Sequence, residues 1–313
     1  MTDPLARGVL AGEPRAIGRA ISRIERGAEL AELVREIFPS TGRARVVGVT
    51  GPPGAGKSTL VARLARAYRA AGRRVGIVAI DPSSPFSGGA ILGDRIRMSE
   101  HDADPGVFIR SMATRGALGG LSRATNDAVD VLDAAGFEIV IVETVGVGQD
   151  EVDVVRAADS VVVVVPPGLG DDIQALKAGI LEIADLFVVN KADREGADRA
   201  AAELKMNLDF SAPEAWRPAI LLTVATRNEG IGAVVDRLEE HRAHLEATGE
   251  ARERRLRRSR ARLRALLEAR FFRAVEKNAH EPEGLEDFTA RLTDRAVDPY
   301  SAADELFRRI AAP

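Results

Sequence analysis

Nine residues, GPPGAGKST at 51–59, follow the apolar run Val46, Val47, Gly48 and Val49. Gly51, Gly54, Gly56, Lys57 and Ser58 complete the spacing G-x-x-x-x-G-K-S. That spacing serves polyphosphate binding. Glycines let the chain curl so that backbone N–H groups close around phosphate oxygens, and the N-terminus of the following helix adds a favourable dipole. The expected cradle is Gly51, Pro52, Pro53, Gly54, Ala55, Gly56, Lys57, Ser58 and Thr59. Lys57 would reach the terminal phosphates and Ser58 would ligate Mg²⁺. A chance glycine turn is the bland alternative, but a strand before and a helix after argue against it.

Two further stretches belong to the same chemistry. The run FEIVIVE ends in Glu143 and is followed by Thr144, Val145 and Gly146. An acid closing a strand beside the cradle can act on Mg²⁺, and the Gly146 amide can face a γ-phosphate. The stretch DPSSPFSGGAILGDRIRM at 81–98 carries Asp81 and Asp94. Its Ser87-Gly88-Gly89 segment suits either a solvated loop or one that reorders with nucleotide state. The metal candidates these stretches give by themselves are Ser58 and Glu143, with Lys57, Glu143 and Gly146 serving the reaction.

Base choice is written elsewhere. Asn190, Lys191 and Asp193 follow the apolar run LFVV. An aspartate carboxylate accepts two hydrogen bonds from guanine N1–H and the 2-amino group, whereas adenine has no matching donor pair. Asn190 can tether the loop and face the base, and the Lys191 stem can cover the ring. Ala225, Thr226 and Arg227 lie after the next apolar run, where backbone amides could meet the guanine oxygen. The nucleotide expected is therefore GTP or GDP with Mg²⁺.

The elements that must position these groups are legible from periodicity. Residues 4–38 read as helices. Then VVGVT, VGIVAI, FEIVIVE, SVVVVVP, LFVVNK and AILLTV alternate with helical stretches such as STLVARLARAYRAAG and GLSRATNDAVDVLDAAG. Strands apolar on both faces, separated by helices, predict an α/β fold with a mainly parallel sheet covered on both sides. The expected organisation is an N-terminal helical extension at 1–43, a nucleotide-binding domain at 44–245 and a C-terminal helical region at 246–313. Ser301 and Asp304 are spaced as a capping box for a last helix.

Composition excludes several classes. The chain has 313 residues, 45% of them apolar, a formal net charge of −3 and no cysteine. Disulfides, thiolate metal sites and cysteine nucleophiles are out. Neither nucleic acid nor an anionic membrane is favoured by the charge. No apolar run reaches the roughly 18 residues a membrane span needs, and the first 25 residues lack a continuous apolar core, so a cytoplasmic protein is expected.

These residues together resemble the MeaB family, also called the methylmalonic aciduria type A or ArgK-type GTPases, of the SIMIBI class of P-loop NTPases. The matching stretches are GVTGPPGAGKSTL, VAIDPSSPFSGGAILGDRIRM, FIRSMATRGALGGLS, ETVGVGQDE, PGLGDDIQALKAGILEIAD and VVNKAD. The resemblance implies a homodimeric GTPase that serves as chaperone to an adenosylcobalamin-dependent acyl-CoA mutase, gating cofactor loading and protecting the mutase. It also implies that Ser58, Asp81, Asp94 and Glu143 form the Mg²⁺ environment, with Asp94 serving the reaction as well, and that 143–151 is a second switch and 168–179 a third, with Asp171, Asp172, Gln174 and Lys177. A nickel-metallocentre maturation GTPase is the alternative, and a transporter-associated ATPase or kinase a more distant one.

Three features invite other readings. Val147, not glutamine, follows Gly146, which suits a slow enzyme completed by a partner, with Gln149 either in solvent or recruited then. Residues 252–264 carry eight arginines. Leu256, Leu263, Leu267 and Phe271 form an apolar stripe there, which favours a solvated face on a dimerising helix over nucleic-acid binding. His241 and His244, at i and i+3, could ligate a metal, but without cysteines or a neighbouring acid cluster they read as surface residues.

Overall fold

The computed structural model describes residues 3–26, 31–82, 104–114, 120–144, 158–168, 183–210, 215–277 and 284–311. It divides into two compact units, Met1–Arg254 and Arg255–Pro313. In the first, helices α1 (Pro4–Leu10), α2 (Pro14–Glu25) and α3 (Ala31–Ile37) precede β1 (Arg45–Thr50) and α4 (Lys57–Ala70). Then come β2 (Val75–Pro82), β3 (Val107–Thr114), α5 (Gly120–Ala134), β4 (Ile139–Thr144), β5 (Ser160–Val165) and β6 (Leu186–Asn190). The helix α6 (Ala197–Phe210), β7 (Ala219–Thr223) and α7 (Ile231–Thr248) follow.

The seven strands form one sheet in the order β3-β2-β4-β1-β5-β6-β7, with every pair parallel. Strands β1, β4, β5 and β6 are buried along their whole length. This is why they read as unbroken apolar runs: both faces are covered, so period-two alternation has no polar side to mark. Alternate residues nonetheless go to opposite layers. Val46, Val140 and Val163 pack on one face with Ile17, Ile21 and Leu132 of α2 and α5. Val47, Ile141 and Val162 pack on the other with Leu60, Leu64, Val234 and Leu238 of α4 and α7. The chain leaves β1 toward β2 on one side and later returns to β5 on the other. Parallel sheets bind ligands at such a switch point, beyond the carboxyl ends of the strands.

The strand β3 was not expected from the apolar runs. It is an edge strand in which Arg110 interrupts the pattern and turns to Glu25 and Ser22 of α2.

The second unit carries most of α8 (Glu250–Lys277), then α9 (Leu285–Thr293) and α10 (Pro299–Ala311). Phe271 lies 5.7 Å from Phe307 between ring centroids, and Val275, Phe288 and Ala302 are buried. The cap of α10 corrects the expected Ser301–Asp304 box. Asp298 Oδ1 accepts from the amides of Tyr300 and Ser301, each at 3.0 Å. An aspartate ahead of Pro299 reaches these free N–H groups first, which leaves Ser301 inside the helix.

Candidate nucleotide-binding site

The glycine-rich turn leaves β1 at the switch point. Gly51 has φ 141°, and a Cβ there would stand 2.0 Å from the Val164 carbonyl oxygen of β5. Gly54 and Gly56 have φ 76° and 89°. Ala55 N–H donates to Pro52 O at 3.2 Å and closes the turn, and Leu60 N–H donates to Gly56 O as α4 begins. Lys57 is 6% exposed, and its Nζ donates to Gly51 O at 2.7 Å and Pro52 O at 3.0 Å. The ammonium therefore bends back over the mouth of the turn, on the axis where phosphate oxygens would lie.

Ser58 Oγ donates to Glu143 Oε1 at 2.6 Å, with both residues buried. The register explains their meeting. Val49 of β1 pairs with Glu143 of β4, so the acid ends its strand level with the start of the turn. One residue further, Thr144 Oγ1 donates to Thr50 Oγ1 at 2.9 Å and fastens the two strand ends together. Nothing in the sequence marks that pair, because it depends on which strands are neighbours. A buried hydroxyl and a carboxylate 2.6 Å apart are hard oxygen donors of the kind Mg²⁺ takes. Together with a turn that takes positive φ at Gly51, Gly54 and Gly56, they fit a Mg²⁺–nucleotide.

The loop after β6 joins the turn through Asn190, which is 2% exposed. Its Nδ2 donates to Ala55 O at 2.9 Å, and its Oδ1 accepts from Thr223 Oγ1 and Ala225 N–H, each at 3.1 Å. Of the two roles expected for Asn190, its amide is committed to the tether. The Ala225 amide is likewise engaged by Asn190, and the Arg227 amide donates to Val224 O at 2.9 Å. Lys191 has φ 62°, and its Nζ donates to Gly54 O at 2.6 Å, which lays its stem across the cradle. Asp193 Oδ2 accepts from Arg227 Nη2 at 3.2 Å. Arg63 of α4 supports the far loop by donating to Ala225 O at 3.1 Å.

The structure thus brings together Gly51–Thr59, Glu143, Asn190, Lys191, Asp193 and residues 225–227. Asp81, next to last in β2, is in register with Ala113 of β3, but its side chain is outside the described residues. Asp94, Gly146, Val147, Gln149, Asp171, Asp172, Gln174 and Lys177 also lie outside them.

One expectation is overturned. His241 is not a surface residue: it is 1% exposed, at the opposite end of the sheet from the cradle. Its Nδ1 is 2.9 Å from Ser160 Oγ, and its ring centroid is 4.7 Å from that of Trp216. Its Nε2 is 3.2 Å from Asp185 Oδ1. Arg254 Nη1 and Nη2 reach both Asp185 oxygens, at 3.1 and 2.9 Å. Burial works against the Asp185 charge, yet His241 and Arg254 hold its carboxyl below the usual carboxylate range. Among the described residues, no group of three or more His, Cys, Asp or Glu could hold a metal ion, and no helix is long and apolar enough to cross a membrane.

A parallel sheet with a glycine-rich phosphate turn at its switch point and N-K-x-D two strands along defines a P-loop GTPase. The family model described as "Methylmalonyl Co-A mutase-associated GTPase MeaB" matches residues 14–280, and the chain belongs to that family. A Pyrococcus abyssi protein named as a GTPase is 50% identical over 99% of this chain and 97% of its own length. The mouse "Methylmalonic aciduria type A homolog, mitochondrial" is 32% identical over 98% of this chain and 79% of its own. Escherichia coli "GTPase ArgK" is 35% identical over 76% of this chain and 75% of its own. The crystal structure titled LAO/AO transport system kinase superposes with a TM-score of 0.73 at 26% identity, covering 98% of this chain and 97% of that one.

Proposed function

We propose that this GTPase is a Mg²⁺-dependent chaperone of an adenosylcobalamin-dependent acyl-CoA mutase, gating cofactor loading and protecting the mutase. The observation that carries the reading is the mutase-associated family match over residues 14–280, together with the Ser58–Glu143 pair under the phosphate turn. In this reading Lys57 neutralises the terminal phosphates, and the N–H groups of Gly54 and of 56–59, at the start of α4, hold them. Ser58, with Glu143 behind it, would hold Mg²⁺, which when bound would neutralise phosphate charge. Asp81 and Asp94 would complete that environment, and the Gly146 amide would face the γ-phosphate. Asp193 selects guanine, and the Lys191 stem covers the ring. With the Ala225 and Arg227 amides engaged, the guanine oxygen falls to the Thr226 amide.

Val147 stands where an intrinsic water-orienting glutamine would be expected, so the free enzyme turns over slowly and the partner completes the site. The stretch 168–179, with Asp171, Asp172, Gln174 and Lys177, carries the signal. We further propose that the protein is a homodimer. Leu256, Leu263 and Leu267 of α8 are 52%, 60% and 60% exposed, an apolar stripe that a second copy would cover. Light scattering tests this directly, with Leu263→Asp expected to give monomer or aggregate.

The functional test is phosphate release from GTP with and without an adenosylcobalamin-dependent acyl-CoA mutase. The expected stimulation is about tenfold or more, roughly 1.4 kcal/mol off the barrier. Lys177→Ala should blunt it while sparing basal hydrolysis. Absence of stimulation by any such mutase, with tight nickel binding instead, would move the assignment to metallocentre maturation.

A further inference from the structure

The guanine site contains one charged contact that the reading above leaves unused, between Arg227 and Asp193. Asp193 sits in the loop after β6 and Arg227 in the loop after β7, and Arg227 Nη2 lies 3.2 Å from Asp193 Oδ2. We propose that Arg227 is a positioning residue for base recognition: it orients the Asp193 carboxylate so that both oxygens face guanine N1–H and the 2-amino group. The proposal rests on the guanine reading of the site and adds to it a residue that decides how sharply the 2-amino group is read.

Both ends of the pair are held by backbone. Ala192 N–H donates to Thr223 O at 2.9 Å, which joins the two loops at their roots. Arg194 N–H donates to Lys191 O at 3.0 Å and closes the turn that carries Asp193. Arg227 ends a single 3₁₀ turn over Ala225–Arg227, whose start is fixed by Asn190 and whose exit is fixed by the Val224–Glu229 bridge and by Asn228 at φ 60°. The two α-carbons thus sit on one rigid frame. The two side chains, 60% exposed for Arg227 and 33% for Asp193, are what still have freedom to turn, and their contact limits both.

Among the described residues, Arg227 is the one side chain that donates to Asp193. Lys191, two residues away, places its ammonium on Gly54 O across the cradle. Val224, at the head of the second loop, has no side-chain donor. Asn190 has its amide spent on Ala55, Thr223 and Ala225.

The arginine and the base do not compete. An ionised carboxylate has about four lone-pair sites, two on each oxygen. The Arg227 contact is made to one oxygen, so each oxygen keeps a site for one guanine donor. A carboxylate free to rotate can still find one donor at little cost, whereas meeting two donors together requires its plane to be aligned with the base. Holding that plane in advance lowers the ordering cost of the two-point contact selectively. Hypoxanthine, which has N1–H but no 2-amino group, makes only the one-point contact and gains less.

The test is calorimetric titration with GDP and with IDP of wild type, Arg227→Ala, Arg227→Lys, Asp193→Asn and the double variant. Exposed pairs are weak, so Arg227→Ala should weaken GDP binding by about two- to fivefold. IDP binding should change less, so that the GDP/IDP preference narrows. Arg227→Lys should restore part of the preference. In the Asp193→Asn background the Arg227→Ala change should have no further effect, since coupled residues are not additive. An unchanged GDP/IDP ratio in Arg227→Ala, with the preference lost in Asp193→Asn, would overturn the proposal and leave the guanine reading standing. Tighter GDP binding by Arg227→Ala would also overturn it, since the arginine would then be a competitor for the carboxylate. Asp193→Asn with wild-type GDP affinity and preference would instead remove the guanine reading, and the proposal with it.

Discussion

Replacing Asn190 with alanine removes a side chain that joins the phosphate turn to both base-side loops. Its three shorter hydrogen bonds go with it, to Ala55 O at 2.9 Å and from Thr223 Oγ1 and Ala225 N–H at 3.1 Å, along with a long one to Gly56 O at 3.5 Å. The partners have no easy replacement from solvent, since Ala55, Thr223 and Ala225 are 0%, 1% and 1% exposed. Each lost bond is worth about 1 kcal/mol net, and a buried group left unsatisfied costs about 1–3 kcal/mol. Three such groups, with partial relaxation, give a destabilisation of about 3–5 kcal/mol. A domain of this size moves its Tm by about 2–4 °C per kcal/mol, so Asn190→Ala should melt roughly 6–20 °C below wild type. Thermal denaturation followed by circular dichroism, without nucleotide, reads the shift. Asn190→Asp keeps the acceptor for Ala225 but sets a carboxylate oxygen against the Ala55 carbonyl, so it should be at least as damaging. A shift under about 3 °C for Asn190→Ala would refute the tether, because the three groups would then be finding other partners.

Gly51→Ala should fail to give a nucleotide-binding protein, since its Cβ would stand 2.0 Å from the Val164 backbone oxygen in the middle of the sheet. Normal GDP binding by Gly51→Ala in a fluorescence titration would contradict the packing of the turn on β5. At the other end of the sheet, His241 and Arg254 hold the buried Asp185 carboxyl below its ordinary value of 3.8. The stability it contributes is therefore complete above that value and is lost as pH falls through the lower folded-state pKa. Asp185→Asn should cost about 3 kcal/mol at pH 7, as when one partner of a buried pair is removed. The gap to wild type should close in urea melts as pH is lowered below 4; a gap independent of pH would show that the Asp185 charge is not what stabilises the cluster.

Some of this site was legible in the chain alone because it is local. The spacing of Gly51, Gly54, Gly56, Lys57 and Ser58 specifies a turn at the head of a helix, and that turn formed where expected. The runs at 45–50, 139–144, 160–165 and 186–190 announced buried parallel strands by the absence of any polar face. Where polarity was mixed, the same reasoning lost its signal. Arg110 hid β3, because an edge strand can send one charged side chain to a neighbouring helix without burying it unpaired. Asp298 captured the helix start expected at Ser301, because whichever acceptor first meets the free amides becomes the cap.

What the sequence determined by itself is the set of parts: a phosphate turn, an acid at a strand end, a guanine-type N-K-x-D and the helices and strands that carry them. The tertiary structure decided which parts meet. Ser58 and Glu143 are 85 residues apart, and Asn190 and Ala55 are 135 apart. Their contacts exist because β1 lies between β4 and β5 and because Val49 is in register with Glu143. His241 shows the same dependence from the other side. A polar residue on a charged helix reads as exposed, and only the packing of α7 under β5 and β6 carries it into the core beside Ser160 and Asp185. Periodicity records how much of an element is buried, while strand order and register, set by non-local packing, determine its neighbours.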